Sequence, residues 1–140
     1  MSEAGMSGRC LCGAVTIRIG SHEPEVGACH CTMCRRWSGS AYFAFTAKAD
    51  ETTIEGPVKT YRSSDFAERA FCGTCGSHLW FRDDGDDIYE LMPGLFDGAR
   101  DFPLVSVVYD DRQPSWLPLS GEYRRTTAAD YEARKSHVPD

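Results

Sequence analysis

Polar and apolar residues alternate along Ala14-Val15-Thr16-Ile17-Arg18-Ile19, and β-branched side chains dominate the stretch. A period of two built on stiff, branched side chains marks a strand with one buried face. The same reading applies to residues 42–46, 52–55, 59–62, 69–72, 78–81, 88–92 and 104–109. Turn signals separate these runs: Gly56-Pro57, Asp83-Asp84-Gly85-Asp86-Asp87, Pro93-Gly94 and Gln113-Pro114. Many short strands with frequent turns predict a mainly β domain. One helical turn is expected over residues 32–37. Residues 127–135 carry a potential cap and helix-favouring Ala, Glu and Arg, and read as a short helix or a frayed tail. Neither form of this last stretch is expected to bear on function. The predicted organisation is a flexible N-terminus over 1–7, a single domain over 8–125 and a C-terminal tail or short helix over 126–140.

Composition narrows the picture. A chain of 140 residues has the length of one domain. Its 41% hydrophobic content can close a core, but a modest one, so a further staple is expected. The 15 Lys and Arg against 21 Asp and Glu give a formal charge of −6. An acidic surface is a poor match for a phosphate backbone, which disfavours nucleic acid as the main partner. The longest apolar run, residues 41–45, falls far short of the roughly 20 residues a membrane span needs, so no membrane role is expected. Met1-Ser2-Glu3-Ala4-Gly5 lacks a basic start and an apolar stretch, and a cytoplasmic location is the expectation.

Seven cysteines change the reading: Cys10, Cys12, Cys29, Cys31, Cys34, Cys72 and Cys75. Their number is odd, and a reducing cytosol disfavours disulfides. They cluster as C-x-C, C-x-C-x-x-C and C-x-x-C, spacings that let one turn aim several sulfurs at one ion. Zinc prefers four ligands where its role is structural, and three plus an open position where it is catalytic. Cys10, Cys12, Cys72 and Cys75 make a closed quartet, and Cys29, Cys31 and Cys34 make an open trio, so two zinc ions per chain are expected. A second partition stays open, in which His30 or His78 completes the trio. Strand alternation would point His30 away from a metal held by both its neighbours, which leaves a solvated or hydrogen-bonded side chain as its plainer role. Gly13 and Gly76 follow the clusters and supply the turn conformation that such knuckles need.

Arg35 and Arg36 directly follow Cys34. They could offset negative charge at the trio or grip a substrate carboxylate, or be solvated surface arginines. Trp37 could wall a pocket or pack in the core. Arg62 and Arg69 are weaker candidates that read first as partners of surplus acids. His78 could shuttle protons but reads first as a hydrogen-bonded strand residue. Three thiolates make zinc a weaker Lewis acid than three histidines would, a site suited to holding sulfur and to carbon–sulfur chemistry. Two rival classes remain: a non-catalytic zinc-binding interaction module, and a thiol redox or metal-sensing protein. Metal content separates them. One weakly held ion beside a tight one fits an enzyme, two tight ions fit a scaffold, and one ion with three free thiols fits redox chemistry.

The order of these elements carries a resemblance. Gly8-Arg9-Cys10-Leu11-Cys12-Gly13-Ala14-Val15 is followed by Cys29-His30-Cys31-Thr32-Met33-Cys34-Arg35-Arg36 with Trp37-Ser38-Gly39. Then come Tyr61-Arg62-Ser63-Ser64, Arg69-Ala70-Phe71-Cys72-Gly73-Thr74-Cys75-Gly76-Ser77-His78-Leu79, Gly94-Leu95-Phe96-Asp97 and Pro114-Ser115-Trp116. This pattern closely resembles the glutathione-dependent formaldehyde-activating enzyme family, which also includes centromere protein V. The resemblance implies a β-tent fold of small antiparallel sheets linked by zinc. It implies a structural zinc on Cys10, Cys12, Cys72 and Cys75 and a catalytic zinc on Cys29, Cys31 and Cys34. It implies a carbon–sulfur lyase that joins formaldehyde to glutathione, giving S-hydroxymethylglutathione, with a small thiol and an aldehyde as partners. Many relatives carry a histidine about where Ser106 stands, and Phe96 is a second departure that bears on specificity.

Overall fold

The computed structural model describes residues 4–117 and 119–139. The first three residues of the expected flexible N-terminus, Pro118 of the expected domain and Asp140 of the expected tail lie outside the described residues. Two compact units make up the chain, one from residues 4–24 and 44–102, the other from residues 25–43 and 103–139. The mainly β class expected from the strand pattern is the class observed.

The first unit holds a three-stranded antiparallel sheet in the order β1 (Met6–Arg9), β2 (Thr16–Ile19) and β5 (Thr53–Glu55). In β2 the predicted alternation is realised, with Ile17 and Ile19 buried and Thr16 and Arg18 exposed. A longer antiparallel run follows the order β4 (Tyr42–Lys48), β9 (Ile88–Leu91), β8 (His78–Asp83), β7 (Ala67–Cys72) and β6 (Val58–Arg62), with β4 contributing from Ala44 onward. The β7–β8 register shifts between Ala70 and Phe71, which leaves Leu79 as an extra residue on β8. Leu79 and Trp80 are consequently both buried, a local twist of the kind bulges impose. The core gathers Val15, Ile17, Ile19, Phe45, Leu79, Leu91 and Phe96, and it includes Cys10 and Cys72. Phe45 meets Phe96 and Phe102 edge-on at 5.3 and 5.6 Å, and His22 stacks on Phe102.

The second unit pairs β3 (Val26–Cys29) with β10 (Leu104–Val108), and β10 with β11 (Arg124–Thr126). Both pairings are parallel, where the resemblance implies antiparallel sheets. The reason lies in the connections: β3 and β10 are joined by a long excursion of chain, and β10 and β11 by a crossover long enough to return in the same direction. Helix α1 (Thr32–Ser38) falls where expected and extends one residue further. Helix α2 (Ala128–Glu132) starts after Thr127, whose hydroxyl accepts the Asp130 N–H, so the cap read from the sequence is made.

Strand β1 takes in Met6 and Ser7, which the sequence reading leaves in the N-terminal segment. Cys10 and Cys12 therefore do not precede the first strand; they sit in the turn of a β1–β2 hairpin.

The turn from β5 to β6 depends on Gly56. Its φ is +118°, and a Cβ built there would clash with the Ala14 carbonyl oxygen. Gly56→Ala is expected to lower stability by about 2 kcal/mol or more, from disfavoured backbone geometry and the clash together. Thermal unfolding checks this. An unchanged midpoint would mean that the turn can move off Ala14 at no cost.

Candidate metal centres

Two hairpin turns in the first unit build the quartet. In the β1–β2 turn, Cys10 N–H donates to Val15 O at 3.1 Å and Gly13 N–H to Cys10 O at 3.1 Å. In the β7–β8 turn, Cys72 N–H donates to Ser77 O and Gly76 N–H to Cys72 O, both at 2.9 Å. Gly13 and Gly76 take φ of 82° and 79°, as the knuckle reading requires. The Sγ atoms of Cys10, Cys12, Cys72 and Cys75 all lie within 4.8 Å of one another. Cys10 and Cys12 are 3.6 Å apart, and Cys12 and Cys72, 60 residues apart in sequence, are 3.9 Å apart. Every cysteine is a free thiol. Sulfurs bound tetrahedrally at about 2.3 Å would sit about 3.8 Å from each other, so these spacings fit one zinc ion.

The surroundings of the quartet favour thiolates. Val15 N–H donates to Cys10 Sγ at 3.3 Å and Ala14 N–H to Cys12 Sγ at 3.5 Å. Thr74 and Cys75 N–H both donate to Cys72 Sγ at 3.4 Å. The Ser77 hydroxyl lies 3.1 Å from Cys75 Sγ and also accepts the Leu11 N–H at 3.1 Å, so it ties the two turns together. That hydroxyl, with the Ser77 backbone, pulls the Cys75 thiol down to about 5. Although the Ala14 N–H favours a Cys12 thiolate, burial and the neighbouring thiols push Cys12 up to about 11. Four sulfurs this close cannot all ionise unless a cation shares them. An open cleft of about 790 Å³ borders the quartet, and its rim carries Arg9 and Arg18 as well as Glu55 and Asp97. Mixed charge gives it no bias toward a polyanion.

The trio is built differently, from one short stretch of the second unit. Strand β3 alternates, with Val26 and Ala28 buried, and the alternation continues through His30, which is 1% exposed. Cys29 and Cys31 therefore point the other way. Cys31 caps helix α1, its Sγ accepting the Cys34 N–H at 3.3 Å, and Cys29 Sγ accepts the Cys31 N–H at 3.4 Å. The first helical turn brings Cys34 round to the same place, and the three Sγ atoms lie within 4.8 Å of one another. Hydrogen bonds with Cys31 and Cys34, and then burial, push the Cys29 thiol far above its ordinary value. This set also requires a cation before it can ionise fully, and an all-sulfur donor set suits zinc. Among the described residues no His, Asp or Glu joins either cluster.

His30 is not solvated, which was one of the two roles expected of it. Its backbone N–H donates to Val108 O at 3.2 Å, its ring is buried, and Nε2 finds no partner among the described residues. Burial holds its pKa down, opposed by the nearby Asp110 carboxylate. His78 is half-buried on β8, its pKa lowered by burial and then by Arg69. Arg35 and Arg36 are exposed on α1. Helical spacing puts Arg35 four residues after Cys31, on the same face, and Arg36 on the far side from Cys34. Trp37 is half-buried three residues after Cys34. Arg62 makes a two-pronged pair with Asp84 at 2.7 and 2.6 Å, as its plainer reading holds. Arg69 is buried with its guanidinium 5.0 Å from the Phe81 ring centre.

Sequence reasoning missed Tyr109. It is buried and holds φ 55° and ψ 39°, the left-handed region, which bulky side chains enter rarely. Its hydroxyl donates to Glu132 Oε2 at 3.1 Å. Burial, that acceptor's charge, and the thiols of Cys31 and Cys29 all raise its pKa. No local pattern announces a left-handed tyrosine.

Comparison with known proteins fits this geometry. The profile of the family described as glutathione-dependent formaldehyde-activating enzyme matches residues 5–111. The chain belongs to that family. A protein of Schizosaccharomyces pombe named as an uncharacterized lyase is 36% identical over 109 residues, which cover 76% of this family member and 80% of the relative. A Halomonas elongata protein, named as a proposed glutathione-dependent formaldehyde-activating enzyme, is 33% identical over 88 residues, 56% of each chain. The crystal structure of a Rhodobacter sphaeroides protein shares the fold with a TM-score of 0.58 at 24% identity, covering 71% of this chain and 100% of that one. Within this family member Phe96 is 2% exposed and packs on Phe45, so that departure is absorbed in the core of the first unit. Ser106 lies in β10 opposite Gly27 and Arg124. No helix among the described residues is long and apolar enough to cross a membrane.

Proposed function

We propose that this chain is a zinc-dependent carbon–sulfur lyase that handles the adduct of a small thiol, such as glutathione, with a small aldehyde, such as formaldehyde. The observation that carries this reading is the difference between the two clusters. The quartet offers four sulfurs drawn from two hairpins, enough to enclose an ion. The trio offers three, with no fourth protein ligand among the described residues. Cys10, Cys12, Cys72 and Cys75 would hold a structural ion, and Cys29, Cys31 and Cys34 a second one. When bound at the trio, zinc would supply a vacant position at which a substrate thiol loses its proton at neutral pH. The family membership supports the substrate class, and the relatives' names support the reaction class.

The protein's own groups then have three tasks. Cys29, Cys31 and Cys34 set the charge and shape of the vacancy. Arg35, on the Cys31 face of α1, would grip a substrate carboxylate, and Arg36 and Trp37, later in the same helix, are the further candidates for substrate contact. In the synthetic direction the thiolate sulfur bonds to the aldehyde carbon, the carbonyl π pair moves to oxygen, and that oxygen takes up a proton to give a hydroxymethyl thioether. In the lyase direction each movement reverses.

Exchange-broadened NMR of glutathione with formaldehyde tests the reading. The two-zinc protein is expected to accelerate exchange between free aldehyde and adduct in proportion to its concentration. An exchange rate identical with and without protein, for this pair and for other thiol–aldehyde pairs, would overturn it.

A further inference from the structure

The trio takes all its ligands from one short stretch, and the support of that stretch comes from β10. Val108 stands opposite Cys29 in the parallel pairing, and its carbonyl accepts the N–H of His30, which lies between two of the cysteines. One residue later the chain enters the left-handed turn at Tyr109, the one non-glycine residue of positive φ among those described. A buried aromatic stays in that region only where its surroundings hold it. Here the holding groups come from the C-terminal segment. Glu132 Oε2 accepts the Tyr109 hydroxyl at 3.1 Å, and Tyr131 packs on the Tyr109 ring at 5.1 Å. Arg112 lies 5.1 Å from the centre of that ring and 3.9 Å from Glu132 Oε2. Asp110 pairs with Arg125 at 3.0 Å, and Asp111 Oδ1 accepts the Ala128 N–H at 2.7 Å. Strand β11 runs beside β10 with Thr126 opposite Val108. The family match ends at residue 111, so Arg125, Ala128, Tyr131 and Glu132 all lie beyond it.

We propose that β11 and α2 form a positioning element for the three-cysteine site, acting through Tyr109, a proposal that rests on the reading of the trio as a metal centre. Tyr109 and Glu132 are positioning residues: neither needs to touch substrate. With their hydrogen bond in place, the turn after β10 is fixed, Val108 O stays on His30 N–H, and the Cys29–Cys34 stretch keeps its three sulfurs convergent. With it broken, Tyr109 relaxes out of the left-handed region and the end of β10 shifts against β3. The C-terminal end of the chain, expected from sequence to be without functional bearing, then sets how firmly the weaker ion is held.

The test uses the full chain loaded with cobalt(II), read by its d–d absorption and by the rate at which EDTA removes each ion. The wild type is expected to bind two ions and release them in two phases. Tyr109→Phe and Glu132→Ala are each expected to speed the faster phase about tenfold or more, the size of effect that lost outer-shell partners commonly have, and to leave the slower phase unchanged. The absorption of the labile ion should shift in both variants. Glu132→Gln keeps an acceptor for the phenol and should restore slow release. Wild-type spectra and release rates in Tyr109→Phe and Glu132→Ala would overturn the proposal, even with a lower unfolding midpoint, since packing alone would give that. Should Glu132→Ala fail to fold, Tyr109→Phe, which keeps the ring, decides alone. A wild-type chain that binds one ion would overturn the metal reading of the trio and this proposal with it. Two ions with indifferent variants would overturn this proposal only.

Discussion

Cys72→Ser is expected to cost the chain its cooperative fold. Cys72 is 1% exposed, belongs to the hydrophobic core and ends strand β7, so the substitution acts on two levels at once. It places a hydroxyl among apolar neighbours, and it removes one of four sulfurs. The second effect dominates. Zinc held by a closed thiolate site contributes folding free energy of order 10 kcal/mol in small domains, comparable with the roughly 5–15 kcal/mol that separates most folded domains from their unfolded chains. Closing the loop between Cys12 and Cys72, 60 residues apart, costs chain entropy that a bound ion would offset. Losing even half of the metal's contribution would lower the unfolding midpoint by roughly 15 °C or more at this length. Calorimetry with a metal count on the same sample checks this. A variant that still binds two ions and melts with the wild type would remove the quartet from its structural role.

Cys31→Ser is expected to do the opposite: abolish turnover and spare the fold. Cys31 is the N-cap of α1, and its sulfur accepts the Cys34 N–H. Serine is among the best N-cap residues, so the helix start survives the change. The trio falls to two sulfurs, too few to keep an ion against a mild chelator. The expected result is one ion per chain, an unfolding midpoint within a few degrees of wild type, and thiol–aldehyde exchange at the uncatalysed rate. Loss of both ions would mean that the sulfurs are divided wrongly between the sites. Full exchange activity with one ion would detach the trio from the chemistry.

How far these conclusions were legible beforehand depends on the range of the interactions involved. The cysteine groups are local signals, because C-x-C and C-x-x-C spacing is set by turn geometry within a few residues. That two such turns meet across 60 residues follows only from counting ligands, and the hairpin carrying Cys10 and Cys12 was half hidden. Its first strand reads Met6-Ser7-Gly8-Arg9, which carries no alternation and little β propensity; pairing with β2 makes it a strand. Val26-Gly27-Ala28-Cys29 is hidden for the same reason, since small residues become a strand there through pairing with β10. The alternation of Thr16-Ile17-Arg18-Ile19, by contrast, is intrinsic and needed no partner to be seen. The parallel pairings and the left-handed Tyr109 depend on residues far away in sequence, and no window of neighbours contains them.

The unequal span of the two cysteine groups has a consequence for biogenesis. A ribosome has delivered every sulfur of the trio once residue 34 has emerged, while the quartet waits for residue 75. Synthesis runs from the N-terminus, so the three-cysteine group is complete before the four-cysteine group can assemble. Until residue 75 has emerged, Cys10 and Cys12 lack the two sulfurs that lie within 4.8 Å of them in the folded chain.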